Sequence, residues 1–238
     1  MLMQRFRESW FFWRHNLRTL LWVTLPFALA EALVLGLSGP LLSVDGEQVQ
    51  FNQLSMVLSL LLLPLADAAL ISQLAALQAG RARPVVDCLT VALRKLLPLA
   101  GAYVLMVMPP ILVLSIGLSL VPTSVGMPLG LMITFWWYCR VSIAPFIVVL
   151  EGTLPLTAVQ QAWRRTAPVQ GELVLALMLS QLVVKGASAG LMAMADGVFG
   201  QTLPAYLLAS VPSALLAALV TIVLFRFYGL LPREPEPS

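Results

Sequence analysis

Six stretches of the chain, at about residues 19–37, 54–78, 97–117, 126–150, 172–194 and 206–230, are almost wholly apolar. A helix rises about 1.5 Å per residue and needs about 20 mostly apolar residues to cross the hydrocarbon of a bilayer. Each stretch therefore has the length of one span. Lipid offers backbone amides no hydrogen-bond partners, so a spanning segment must satisfy its own and is read as a helix. The short alternating segments of a membrane β-barrel are absent from the pattern.

Composition points the same way. The chain has 238 residues, 60% of them hydrophobic and 11% charged, where an ordinary soluble domain carries about 25% charge. Too few charges remain to cover a water-exposed surface. The net charge of +3 does not indicate nucleic acid, because the basic residues sit beside apolar runs instead of forming a stripe. Lipid headgroups are the partner that placement suits.

The basic residues also orient the chain. Arg5, Arg7, Arg14 and Arg18 precede the first span; Arg81, Arg83, Arg94 and Lys95 lie between the second and third. Arg140, Arg164 and Arg165 flank the connection from the fourth to the fifth, and Arg226 and Arg233 lie at and beyond the end of the last apolar run. The opposite loops, about 38–53, 118–125 and 195–205, hold no Lys or Arg and carry Asp45, Glu47 and Asp196. Basic loops stay in the cytoplasm, so both termini are expected there.

Three of the basic segments read as helices lying in the headgroup layer. In 1–17, Met3, Phe6, Trp10, Trp13 and Leu17 recur at helical spacing, with Trp beside basic residues. In 84–97 and 155–167, Pro84 and Pro155 can open a helix, and each helix pairs an apolar stripe with a polar one. Pro84, Arg94-Lys95, Pro98 and Gly101 match Pro155, Arg164-Arg165, Pro168 and Gly171 with one residue of slippage. The chain so reads as three repeated helix-hairpin units related by an axis along the membrane normal. The expected fold is all-α: a polytopic membrane protein with six transmembrane helices and cytoplasmic interfacial helices. It forms one domain over 1–232, with a disordered polar tail at 233–238.

The chemistry-bearing motifs are missing. The sequence has no Walker A loop, HExxH, CxxC or GxSxG. His15 is the one histidine, and Cys88 and Cys139 both fall on the expected cytoplasmic side, where disulfides are rare. No catalytic residue, metal site or cofactor is expected, and the chain does not read as an enzyme. The long aromatic N-terminus, with a second span close behind it, does not read as a removable signal peptide.

Charges at span depth are the exception to this blandness: Glu31 in the first span, Asp67 in the second and Lys185 in the fifth. Each costs at least about 2.5–3.5 kcal/mol in lipid and is expected to face the bundle interior. Counted from the cytoplasmic ends, all three lie at similar depth, so an acid–base cluster is geometrically open to them. It would serve an ion, solute or headgroup pathway, or it would be a structural ion pair. Gly186 and Gly190 form a GxxxG pattern expected at a helix–helix contact within the chain. Arg140, Glu151, Arg164 and Arg165 read as interface anchors, with a headgroup or partner site as the alternative. Pro64, Pro109 and Pro110 are expected to kink or break their spans.

Phe11-Phe12-Trp13-Arg14-His15-Asn16, the Arg140–Gly171 region and Leu224-Phe225-Arg226-Phe227-Tyr228 together resemble the YciC family of bacterial inner-membrane proteins. The resemblance implies a six-span protein of the Gram-negative inner membrane and transfers no functional residue. Three readings stand. The first is a non-enzymatic envelope protein acting through contacts with lipids, a protein partner or a second copy of itself. The second is a small transporter or lipid-handling protein that uses Glu31, Asp67 and Lys185, and an intramembrane enzyme ranks last. A cavity reaching the charges would favour the second; a filled bundle with an exposed small-residue face, the first.

Overall fold

The computed structural model describes residues 2–38, 42–45, 48–120, 123–200 and 202–231; the expected disordered tail lies outside them. Helix α1 (Leu2–His15) leads through Asn16 into α2 (Leu17–Ser38), and α3 (Gln53–Gln78), α4 (Val85–Leu120) and α5 (Thr123–Val141) follow. A short α6 (Ala144–Phe146) runs into a π-helical turn, Ile147–Glu151. Next come α7 (Pro155–Thr166), a 3-10 turn (Ala167–Val169), α8 (Gln170–Phe199) and α9 (Leu203–Tyr228). Six helical segments are long and apolar enough to cross a membrane. Between α2 and α3 a two-stranded hairpin, β1 (Leu42–Asp45) and β2 (Gln48–Phe51), pairs Leu42 with Phe51 and Asp45 with Gln48. Hydropathy gave no sign of it.

The hairpins α2–α3, α4–α5 and α8–α9 pack side by side. α3 lies against α4 and α9 against α2 over long stretches, whereas α5 meets α8 over a short one. The six helices thus form a ring with two tight joints and one loose one. One end of the ring, here the basic end, carries α1, α7, and the ends of α3, α5 and α9.

No break falls at Pro64, Pro98, Pro109 or Pro110: α3 and α4 run through them. Residues 84–97 are not a separate helix, because α4 runs unbroken through Pro98. The buried residues Cys88, Ala92, Leu99, Ala102 and Met106 form one helical stripe across that proline. Their shared burial outweighs the roughly 3 kcal/mol that an interior proline costs. At the matching Pro168 the chain tightens into the 3-10 turn and then resumes as α8. The two junctions aligned in sequence are therefore built differently. Pro110 removes the amide that would bond the Met106 carbonyl, and the Trp137 indole N–H from α5 donates to that carbonyl instead, at 2.8 Å. The helix stays whole.

The fourth span is the broken one. It includes α5, a turn at Ser142-Ile143, α6 and the π-helical turn, and every residue from Cys139 to Val149 is buried. Pro145 supplies no amide to continue the α5 ladder. Hydroxyl groups cover the carbonyls near the break: Ser142 donates to Cys139 at 3.0 Å and Thr166 to Arg140 at 2.8 Å. Gly152, at φ +72°, then turns the chain out towards α7.

Candidate functional site

Beside this break lies a cavity of about 210 Å³. That exceeds the roughly 150 Å³ of an engineered hole that accepts benzene, and falls short of the roughly 300 Å³ at which drug-sized pockets begin. One wall is Asp67 and Ile71 of α3 with Tyr103 and Met106 of α4. The broken span supplies Tyr138, Ser142 and Phe146, α8 supplies Gln181, Val184 and Lys185, and α9 supplies Thr221. Asp67 lies about 16 Å along α3 from Gln78, at about 1.5 Å per residue, so the cavity sits well inside the bundle.

Its polar groups are spread over several helices. The Tyr103 hydroxyl donates to the Asp67 carboxylate, tying α4 to α3. Ser142 spends its hydroxyl on the Cys139 carbonyl. Lys185 lines the cavity from α8, and among the described residues no ion pair within 4 Å joins it to Asp67 or Glu31. Glu31 of α2 is within electrostatic reach of Lys185 but does not line the cavity. Of the three charges at span depth, the fold thus brings two to one cavity and leaves the third nearby. Among the described residues no group of three His, Cys, Asp or Glu side chains could hold a metal ion.

Tyr103, Tyr138, Ser142, Gln181 and Thr221 were missed by the sequence reading. Their signal was polarity within an apolar run, which a search restricted to formal charges passes over.

No protein-family model, curated protein or solved structure matches the chain.

The Arg140–Gly171 region forms a second polar cluster at the basic end, and it is internally paired. Arg165, with 5% of its side chain exposed, grips Glu151 through both terminal nitrogens at 2.5 and 2.9 Å. The Tyr228 hydroxyl at the end of α9 donates to the same carboxylate at 2.9 Å. Arg140 lies over the Trp163 ring at 4.3 Å and donates to Gln170 at 3.3 Å. Arg164 is exposed. These contacts join α5, α7, α8 and α9, so Arg140, Glu151 and Arg165 clamp the junction together. At the same end Arg5 of α1 pairs with Glu172 of α8 at 3.0 Å and lies over Phe227.

Gly186 and Gly190 do not make the expected contact within the chain. A Cβ on either would meet nothing within 4 Å. α8 buries Leu173, Ala176, Leu177, Ser180 and Val184 instead, and the two glycines fall outside that stripe. The GxxxG pattern whose glycines are buried is Gly126–Gly130 on α5.

Proposed function

We propose that this chain is a multi-pass membrane protein that binds a small polar or amphiphilic ligand within the bilayer and passes it on without chemical change. The observation that carries the reading is the cavity at the break in the fourth span, with Asp67 of α3 and Lys185 of α8 both in its lining. Irregular backbone at membrane depth is tolerated where it is buried or lines a cavity, and discontinuous spans are a recurring way to build transport sites. Ionisable groups there carry a cost that a ligand site accounts for. Transfer without catalysis is favoured because Ser142 is committed to a backbone carbonyl.

The proposal includes the finer placement. The bias of Lys and Arg to one end supports cytoplasmic termini, and the resemblance to the YciC family supports a bacterial inner membrane. The amphipathic α7 and the Trp-rich α1 at the basic end support headgroup-layer helices. The three hairpins of the ring support a three-unit origin. A second reading, a scaffold that docks a partner or another copy, draws on the open faces of Gly186 and Gly190.

The test is chemical access. With Cys88→Ala and Cys139→Ala removing the two buried native thiols, Thr221→Cys in the folded, detergent-purified protein should react with a small water-soluble maleimide. An unreactive thiol at 221 in the folded protein would sink the ligand-site reading.

A further inference from the structure

The loose joint of the ring lies beside the cavity. Leu131, Met132 and Ile133 of α5 are exposed in succession, and three successive residues sweep about 200° of a helix. The buried residues of that half of α5 include Gly126 and Gly130, and α4 is the helix on which α5 packs most extensively. Across the gap, Leu182 of α8 is 70% exposed, and Lys185, Gly186, Ala189 and Gly190 are exposed as well. The two helices meet over a short stretch only, and Tyr138 of one and Gln181 of the other line the cavity. Exposed apolar side chains of both helices thus flank the loose joint, and the polar cavity is lined from the same two helices.

We infer that this loose joint is a cleft that admits a phospholipid sideways from the bilayer, and that the cavity takes its headgroup, a phosphate bearing a primary ammonium. The inference rests on the cavity being the working site. An open side with apolar walls at span depth suits acyl chains, and a cavity of about 210 Å³ suits a headgroup, not a whole lipid. Charge selects the headgroup. Lys185, with Gln181 one turn away, meets the phosphate as a cation and a hydrogen-bond donor. Asp67 of α3 keeps the oxygen not engaged by Tyr103 and accepts from the ammonium. A net-anionic headgroup would set its charge against Asp67, with Glu31 also near Lys185, and like charges in a low dielectric repel strongly. A quaternary ammonium has no N–H to give Asp67.

Native mass spectrometry of the delipidated full chain tests this, with ethanolamine, choline and glycerol phospholipids of identical acyl chains supplied in equal amounts. The ethanolamine lipid should be retained preferentially. Lys185→Gln and Asp67→Asn should each weaken its retention about tenfold, the loss of one charge-assisted hydrogen bond. Lys185→Arg should keep most of it, and Leu97→Ala, at an exposed site remote from the cleft, should change nothing. Unfolding midpoints for each variant separate lost binding from lost folding. Equal retention of the three lipids, preference for the glycerol lipid, or indifference to both cavity substitutions in folded protein overturns the inference. If Thr221→Cys is reactive and no ethanolamine preference appears, the lipid inference falls while the ligand site stands. If Thr221→Cys is unreactive, both fall.

Discussion

Arg164 and Arg165 are neighbours in sequence and opposites in consequence. Both read as anchors for headgroups, because a paired arginine at the end of an amphipathic helix faces water on either side of the pair. In the fold the Arg165 guanidinium is turned inward onto Glu151, whose carboxylate also receives Tyr228. Removing one partner of a largely buried pair leaves the other uncompensated. Arg165→Ala should therefore cost about 2 kcal/mol, a figure discounted from the fully buried case because Glu151 keeps 22% exposure. Arg164→Ala should stay within about 0.5 kcal/mol of the parent. Unfolding of the detergent-solubilised variants reads both, and equal losses would contradict the clamp. The contrast was not legible in the sequence: rotation by one residue about α7 decides it, and Glu151 lies 14 positions from Arg165 and 77 from Tyr228.

The elements show which proline positions matter. Pro98 and Pro168 align in sequence, yet α4 passes through the first and the chain tightens at the second. Proline in a helix costs one hydrogen bond and some steric strain, and the burial carried on either side determines whether the helix survives it. At Pro110 the orphaned Met106 carbonyl is taken by Trp137 from the next helix. Trp137→Phe should cost about 1–3 kcal/mol by leaving that carbonyl without a donor. Pro110→Ala restores a backbone amide and should recover most of that loss in the Trp137→Phe background. A double-mutant cycle measures the coupling; strict additivity would show that the indole bond carries no weight. The glycines teach the same lesson. Gly126–Gly130 and Gly186–Gly190 are the same motif at the same spacing, but one pair is buried and the other open. Spacing sets the face that glycines occupy, and only the neighbour decides whether that face is used.

Across the whole molecule, the basic residues gather at one end of the ring, and Arg5 and Phe12 of α1 meet Phe227 and Arg226 at the end of α9 there. If that end is cytoplasmic, a reporter that fluoresces only in the cytoplasm should work when fused to either terminus. A phosphatase active only outside the cytoplasm should work when inserted after Gly200. Activity of the phosphatase at a terminus would invert the topology.

The spans were readable because hydropathy is local and additive: each apolar run carries its own evidence of length and helical state, and the charge bias adds up loop by loop. The meeting of Asp67 and Lys185 was readable only as similar depth along separate helices. Their convergence depends on the rotation of α3 and α8 and on which helices become neighbours. The break at Ser142, the Tyr103 partner of Asp67 and the loose joint between α5 and α8 depend on the same things. By itself the sequence determined six apolar helices with their basic ends together. The tertiary structure decided which faces meet, and with that where the ring is loosely joined, because packing is a property of pairs of surfaces that no single segment contains.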